Sequence, residues 1–119
     1  MKLSSRSPAL TLIEAVSASM PGDLETLRAL ADQYTEEGFC AEGLAVDLQL
    51  ARLLPEDLLV HYNLACSLSL TGDLEGSLKA LKRAVQLGYS QFGYLMKDKD
   101  LAALRKTEAF RKWIEETVA

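Results

Sequence analysis

Apolar residues recur at helical spacing along almost the whole chain, in blocks that end at glycine or proline. In the first block Leu10, Ile13 and Val16 share one face, which predicts a helix over 8–20. Residues with β-branched side chains never cluster into strand-like runs. The pattern therefore predicts an all-α protein. Its further predicted helices run from Leu24 to Gly38, over 40–54, from Asp57 to Thr71, from Asp73 to Leu87, over 91–96, over 99–105 and from Thr107 onward.

The blocks repeat along the chain at an offset of 34 residues. Pro21 returns as Pro55, and Asp23 returns as Asp57. The other matches are Leu24 with Leu58, Leu30-Ala31 with Leu64-Ala65, Gly38 with Gly72, Leu44 with Leu78 and Leu53 with Leu87. A fixed period of this size is typical of a solenoid, in which one supersecondary unit stacks on the next and the stack presents an extended binding surface.

One segment, 58–91, resembles a tetratricopeptide repeat. The matching positions are Tyr62-Asn63-Leu64-Ala65, Gly72-Asp73-Leu74, Ser77-Leu78, Leu81, Ala84-Val85 and Leu87. Their residue types have a physical reason. Small residues at Ala65, Ser77 and Ala84 let the two helices of a hairpin approach closely, and Gly72 permits the tight turn between them.

The resemblance extends over most of the chain. Segment 24–57 matches at fewer positions, and Asp47 stands where the family places a large apolar residue. Residues 8–20 resemble the second helix of a repeat, and residues 87–110 resemble the terminal segment of a group of bacterial tetratricopeptide proteins, where capping helices follow the last repeat. The resemblance implies a single all-α domain over 1–119, a short α-solenoid of antiparallel helical hairpins. Its parts would be an N-terminal half repeat (8–20), two repeats (24–57 and 58–91) and C-terminal capping helices (92–119).

The charge balance points away from nucleic acid as a partner. The formal net charge is −4, whereas a protein that neutralises phosphates needs a basic stripe. The densest basic stretches, around Lys82 and Arg111, are interleaved with acids or lie on helix faces expected to meet water. No apolar run approaches the roughly 20 residues that a membrane span needs, so we expect no membrane partner.

Cysteine usage suggests the compartment. Cys40 and Cys66 form neither a spaced metal-ligand set nor a disulfide framework, and His61 is the only histidine. We therefore expect a reducing cytoplasm and no metal or cofactor. Glu14 interrupts the N-terminal apolar stretch, so we expect no cleaved signal peptide. Residues 1–6 are expected to lack regular structure.

The sequence shows no catalytic constellation, and we expect no enzymatic activity. His61 has no partner that the sequence can assign and is expected to pack. Cys66 is expected to be a small apolar filler or part of a groove lining, because a reactive thiolate needs a nearby cation or a helix N-terminus. Cys40 begins a predicted helix, so of the two cysteines it is the better candidate for a reactive thiolate.

A binding groove follows from the resemblance, because the first helix of each tetratricopeptide repeat lines the concave side. Residues four and then three positions apart share that face. The predicted groove residues are Glu25, Arg28, Asp32, Thr35, Leu59, Tyr62, Asn63, Cys66 and Ser69. Tyr62 is the predicted aromatic anchor, and substitution of Tyr62 or Arg28 is expected to leave the core between the helices intact. The alternative is that these are ordinary positions facing solvent.

The resemblance implies a non-catalytic protein–protein interaction module that binds a peptide or partner-protein segment in this groove. Two alternatives stay open: a small chaperone that sequesters a helix of a secreted or assembly subunit, and a regulatory or structural subunit of a larger enzyme complex. A long apolar groove would favour the chaperone, and a groove of mixed charge would favour the peptide-binding module. The sequence leaves open the identity of the partner and whether the chain is a monomer or a dimer.

Overall fold

The described part of the chain, residues 5–118 in a computed structural model, consists of eight α-helices and one 3-10 turn and contains no strand. Of residues 1–6, for which the sequence predicts no regular structure, 1–4 lie outside the described part. The predicted all-α class is confirmed. The elements are α1 (Pro8–Ser19), α2 (Leu24–Glu36), α3 (Cys40–Leu53), α4 (Leu58–Leu70), α5 (Leu74–Gln86), α6 (Phe92–Leu95), the 3-10 turn (Lys99–Leu101), α7 (Ala102–Arg105) and α8 (Glu108–Val118).

Consecutive helices pack in adjacent pairs, as in a helical repeat. The most extensive packing joins α4 with α5 and α2 with α3, and α3 also packs against α4. Helix α1 packs against α2 at one end of this row. The C-terminal segment packs on the other end, where the 3-10 turn and α7 contact α4.

Helices α2 and α4 begin at capping residues and end at glycines, as the sequence predicts. The side chain of Asp23 accepts a hydrogen bond from the Thr26 N–H, which caps α2. Asp57 caps α4 in the same way. Gly38 and Gly72 follow α2 and α4 with φ angles of 86° and 93°, in the left-handed region that favours glycine. These helices therefore begin and end within two residues of their predicted positions.

Segment 99–105 differs from the prediction, because it is not one α-helix. It begins as the 3-10 turn and becomes α-helical only at Ala102. The side chain of Asp98 accepts a hydrogen bond from the Asp100 N–H, two residues on. This local bond tightens the first turn and explains the 3-10 geometry.

Small residues set the close approach within each hairpin. Ala65, Ser77 and Ala84 are fully buried, and the Ser77 hydroxyl donates a hydrogen bond of 2.7 Å to the Ala65 carbonyl oxygen. In the first hairpin, a Cβ atom added at Gly43 would lie 3.0 Å from Thr35 Oγ1. The small residues singled out in the second hairpin therefore lie at the helix contact.

Two apolar clusters fill the interior. One joins α1, α2, α3 and the start of α4, with Leu10 fully buried. The other joins α4, α5 and the C-terminal segment, where Leu95, Leu101 and Phe110 are at most 1% exposed. The C-terminal helices thus cover the second hairpin. Over the described residues, no helix is both long enough and apolar enough to cross a membrane.

Candidate functional site

A pocket of about 500 Å³ lies between the first helices of the two hairpins and the C-terminal segment. Helix α2 lines it with Asp32 and Thr35, and α4 lines it with Tyr62 and Asn63. Helix α3 contributes Asp47 to the lining. We call this space the concave pocket.

Most of the predicted groove residues meet in the concave pocket. Six of them line it: Asp32, Thr35, Leu59, Tyr62, Asn63 and Cys66. The other three, Glu25, Arg28 and Ser69, do not line it. Glu25 is exposed near the surface of α1, and Ser69 is 4% exposed with no hydrogen-bond partner for its hydroxyl oxygen within residues 5–118.

Arg28 has a structural contact instead of a free place in the groove. Its guanidinium donates a hydrogen bond to the Asp57 carboxylate, with 2.5 Å between Nη2 and Oδ2. Asp57 caps α4, so the pair ties α2 to the start of the next hairpin. The pair is partly exposed, with 38% of the Arg28 side chain and 30% of the Asp57 side chain accessible to water, and neither residue belongs to the buried core.

Tyr62 is also part of the core. It is 5% exposed, and its ring stacks on Tyr89 with 4.5 Å between ring centroids. Its hydroxyl donates a hydrogen bond of 2.6 Å to Asp98 Oδ2. The expectation that Tyr62 lies clear of the core is wrong, because the C-terminal segment folds back over α4 and covers this ring.

The lining of the concave pocket is strongly acidic. Five carboxylates and one ammonium group line it, and the acidic residues are Asp32, Glu36, Asp47, Asp98 and Asp100. The basic residue is Lys99, which is exposed. Burial, followed by the charge of Asp98, raises the pKa of Asp100. The pocket therefore attracts positive charge.

Asp47 is the most deeply buried acid of the pocket, at 3% exposure. The Ser67 hydroxyl donates a hydrogen bond of 2.5 Å to its Oδ2 atom. Its Oδ1 atom has no hydrogen-bond partner, and no basic side chain pairs with it, among the residues that the structure describes. The pKa of this carboxyl is raised to about 6, mainly by burial and also by the charge of Asp32, while the hydrogen bond from Ser67 lowers it.

Cys66 lies at the floor of the pocket beside two acids. Its sulfur is 3.7 Å from Asp98 Oδ2, and burial and the neighbouring carboxylates raise the pKa of the thiol. A thiol held in its protonated form is a poor nucleophile. One ligand atom each from Cys66, Asp98 and Asp100 lie within 4.8 Å of one another. Both oxygens of Asp98 accept hydrogen bonds, from the Tyr62 hydroxyl and the Asp100 N–H, and the protonated Cys66 thiol is a poor metal ligand.

His61 takes no part in the pocket. It is half-buried, and its Nε2 atom lies 2.8 Å from the carbonyl oxygen of Pro55. This contact ties the first turn of α4 to the loop before it.

Large apolar side chains stand at the rim of the concave pocket. Leu59 is 53% exposed and Tyr94 is 59% exposed, and both line it. The Tyr94 ring centroid lies 6.3 Å from that of Tyr62. Aromatic and aliphatic groups around a polar centre suit the binding of another protein segment.

Sequence reasoning missed Asp47, Asp98 and Asp100 as members of the site. Asp47 carried a usable signal, since it stands where the repeat pattern expects a large apolar residue. Asp98 and Asp100 lie in the C-terminal segment, which the sequence analysis treated only as a cap. Nothing local in the sequence indicates that this segment reaches α4.

Comparisons of the chain with protein-family models, with curated proteins and with solved structures found no match. The resemblance to tetratricopeptide repeats therefore stays a prediction from the sequence. The function has to be argued from the concave pocket itself.

Proposed function

We propose that this chain is a non-catalytic protein–protein interaction module that binds a segment of a partner protein in the concave pocket. The observation that carries the proposal is the composition of that pocket. It combines exposed apolar side chains, Leu59 and Tyr94, with carboxylates that lack a basic partner, such as Asp47. Apolar groups supply the energy of such an interface, and polar groups set its register and specificity.

The mixed lining favours a peptide-binding module over a chaperone. A chaperone for an apolar helix needs an extended apolar groove, because the helix buries its hydrophobic face there. Here acids from three elements interrupt the apolar surface, at Asp32, Asp47 and Asp98. In this proposal the two hairpins are tetratricopeptide-type repeats. The free thiols of Cys40 and Cys66 support a partner met in a reducing cytoplasm.

The test captures the partner with the parent chain and compares the result with a variant whose concave pocket is blocked. Asn63 is an exposed residue of α4 that lines the concave pocket, so Asn63→Trp places bulk in the pocket without removing a buried group. Gln86→Trp is the matched control, since Gln86 is an exposed neutral residue at the end of α5 and does not line the pocket. The parent and both variants are coupled to resin, exposed to lysate of the host cell, and the retained proteins are identified by mass spectrometry.

We expect the parent and Gln86→Trp to retain the same partner and Asn63→Trp to lose it. Isothermal titration of the purified partner then gives each affinity. Equal affinities for the parent and Asn63→Trp would contradict binding in the concave pocket.

A further inference from the structure

The carboxylate of Asp47 lies deep in the concave pocket and has no cationic partner among the described residues. Buried charges in folded proteins are paired or coordinate a metal, because leaving water costs several kcal/mol that only a partner returns. Asp47 is 3% exposed, yet its one hydrogen bond within the described chain is the one that Ser67 donates. Its Oδ1 atom has no hydrogen-bond partner within residues 5–118 and is not among the fully enclosed side-chain oxygens there, so it is open to the pocket that the residue lines.

The surroundings of Asp47 add to this deficit of positive charge. The charged residue that shifts its pKa is Asp32, which is also acidic. Asp98 and Asp100 line the same pocket from the C-terminal segment. The basic residue in the lining, Lys99, is exposed and forms no ion pair among the residues described.

We propose that the concave pocket receives a lysine or arginine side chain of the partner segment, whose cationic group pairs with Asp47. This inference rests on the proposed function, and it adds the chemistry of the partner. The unpaired oxygen of Asp47 accepts a hydrogen bond from the ammonium or guanidinium group. The aliphatic part of the incoming side chain lies along the tyrosines of the wall, as the long stems of Lys and Arg do on apolar surface.

The tyrosine rings strengthen this choice of ligand. Tyr94 is exposed at the rim, and a cation over a tyrosine face is attracted by the ring. A pocket of about 500 Å³ is far larger than a metal ion and its ligands need. Burial raises the pKa of the Cys66 thiol and keeps it protonated, whereas a metal binds the thiolate. The space and its lining therefore fit an organic cation better than a metal.

The experiment uses peptides as probes. A library of random twelve-residue peptides displayed on phage is selected on the intact chain, and one selected peptide is synthesised with a fluorescent label. Its affinity is measured by fluorescence anisotropy for the parent, for Asp47→Asn and for the control Glu115→Gln. Glu115 is an exposed acid of α8 outside the pocket, so the control changes the net charge by the same amount.

We expect the selected peptides to share a lysine or arginine. Replacing it by norleucine is expected to weaken binding about tenfold or more, the usual scale for one partner of a desolvated charge pair. Asp47→Asn is expected to weaken the binding of the original peptide by a similar factor. It is expected to leave the affinity for the norleucine peptide unchanged. This double-mutant cycle separates the pair between Asp47 and the peptide cation from general attraction between charges. The control Glu115→Gln is expected to change the affinity less than about twofold.

Three results would overturn the inference in different ways. Peptides that Asn63→Trp blocks, but that bind equally well with norleucine or to Asp47→Asn, would refute the cation pair and leave the proposed function standing. If Asn63→Trp blocks no selected peptide, the proposed function fails and the inference fails with it. Titration of Zn²⁺ alone is the third arm. Zinc binding that is lost in Cys66→Ser, with no peptide bound in the pocket, would assign the acids to a metal.

Discussion

At Asp47 the sequence places a carboxylate inside the helix packing, and its ionisation should be visible in the stability of the fold. Its pKa is raised from 3.8 to about 6, first by burial and then by the charge of Asp32 on α2. The Ser67 hydroxyl on α4 acts in the opposite direction, and the other acids of the pocket, Asp98 and Asp100, lie on the C-terminal segment. Between pH 3.8 and about 6, the folded chain holds a proton on Asp47 that the unfolded chain has released. The contribution of Asp47 to stability is therefore greatest below about pH 4 and is lost as pH rises through about 6.

Replacing this carboxylate with a neutral amide should stabilise the free chain. Asp47→Asn keeps an acceptor for Ser67 and removes the buried charge. We expect the free energy of unfolding to rise by up to about 3 kcal/mol near pH 7.5, from a pKa shift of about two units, and to be nearly unchanged near pH 4. Urea unfolding at both pH values, with Glu115→Gln as the control, measures it. No gain near pH 7.5 would mean that the Asp47 carboxylate is not desolvated in the free chain.

Tyr62 offers a second test at the scale of a residue. Tyr62→Phe keeps the ring stack on Tyr89 and removes the hydroxyl that donates to Asp98. We expect a loss of about 1–3 kcal/mol in the free energy of unfolding, because a buried carboxylate loses a donor. Tyr94→Phe is the matched control, since Tyr94 is 59% exposed, and it should change stability little. Equal stability of the two variants would contradict the Tyr62–Asp98 bond.

At the scale of elements, the second hairpin depends on the close approach of α4 and α5. Ala65 is fully buried, and its carbonyl oxygen accepts a hydrogen bond from Ser77 across the helix pair. A larger side chain at this point has no free space and must push the helices apart. For the same reason, the small residues of the hairpin are the positions that tolerate a larger side chain least.

Ala65→Leu should therefore overpack the hairpin and lower the free energy of unfolding by about 1–3 kcal/mol. Lys79→Leu is the control, because Lys79 is exposed on α5, and surface changes of this kind usually stay within about 0.5 kcal/mol. Thermal and urea unfolding of both variants measure the difference. Two variants of equal stability would show that Ala65 does not lie at the helix contact.

The elements were predictable because the information for them is local. A helix repeats its apolar positions every three or four residues, and its ends carry caps such as Asp57 and glycines such as Gly72, all of which stand in the sequence. The 34-residue offset then predicts which helices pair. The 3-10 turn was missed, because it depends on which N–H the Asp98 side chain selects.

At the scale of the whole molecule, the concave pocket was only partly predictable. Helical spacing placed Asp32 and Thr35 on one face of α2, and both line the pocket in the structure. The rest of the pocket forms where the C-terminal segment returns to α4, a contact between Tyr62 and Asp98, which are 36 positions apart. No periodic pattern encodes such a return. It arises from the burial of Leu95, Leu101 and similar residues against the second hairpin.

The central claim is that one concave pocket, built from α2, α4 and the C-terminal segment, binds the partner. Its most direct test is NMR of the ¹⁵N-labelled chain titrated with the captured partner segment. We predict that the backbone amides of Asp32, Asn63 and Lys99 shift together, since these three parts of the chain meet at the pocket. Shifts confined to the exposed residues Lys82 and Arg83 of α5, with those three amides unchanged, would place binding elsewhere and contradict the account.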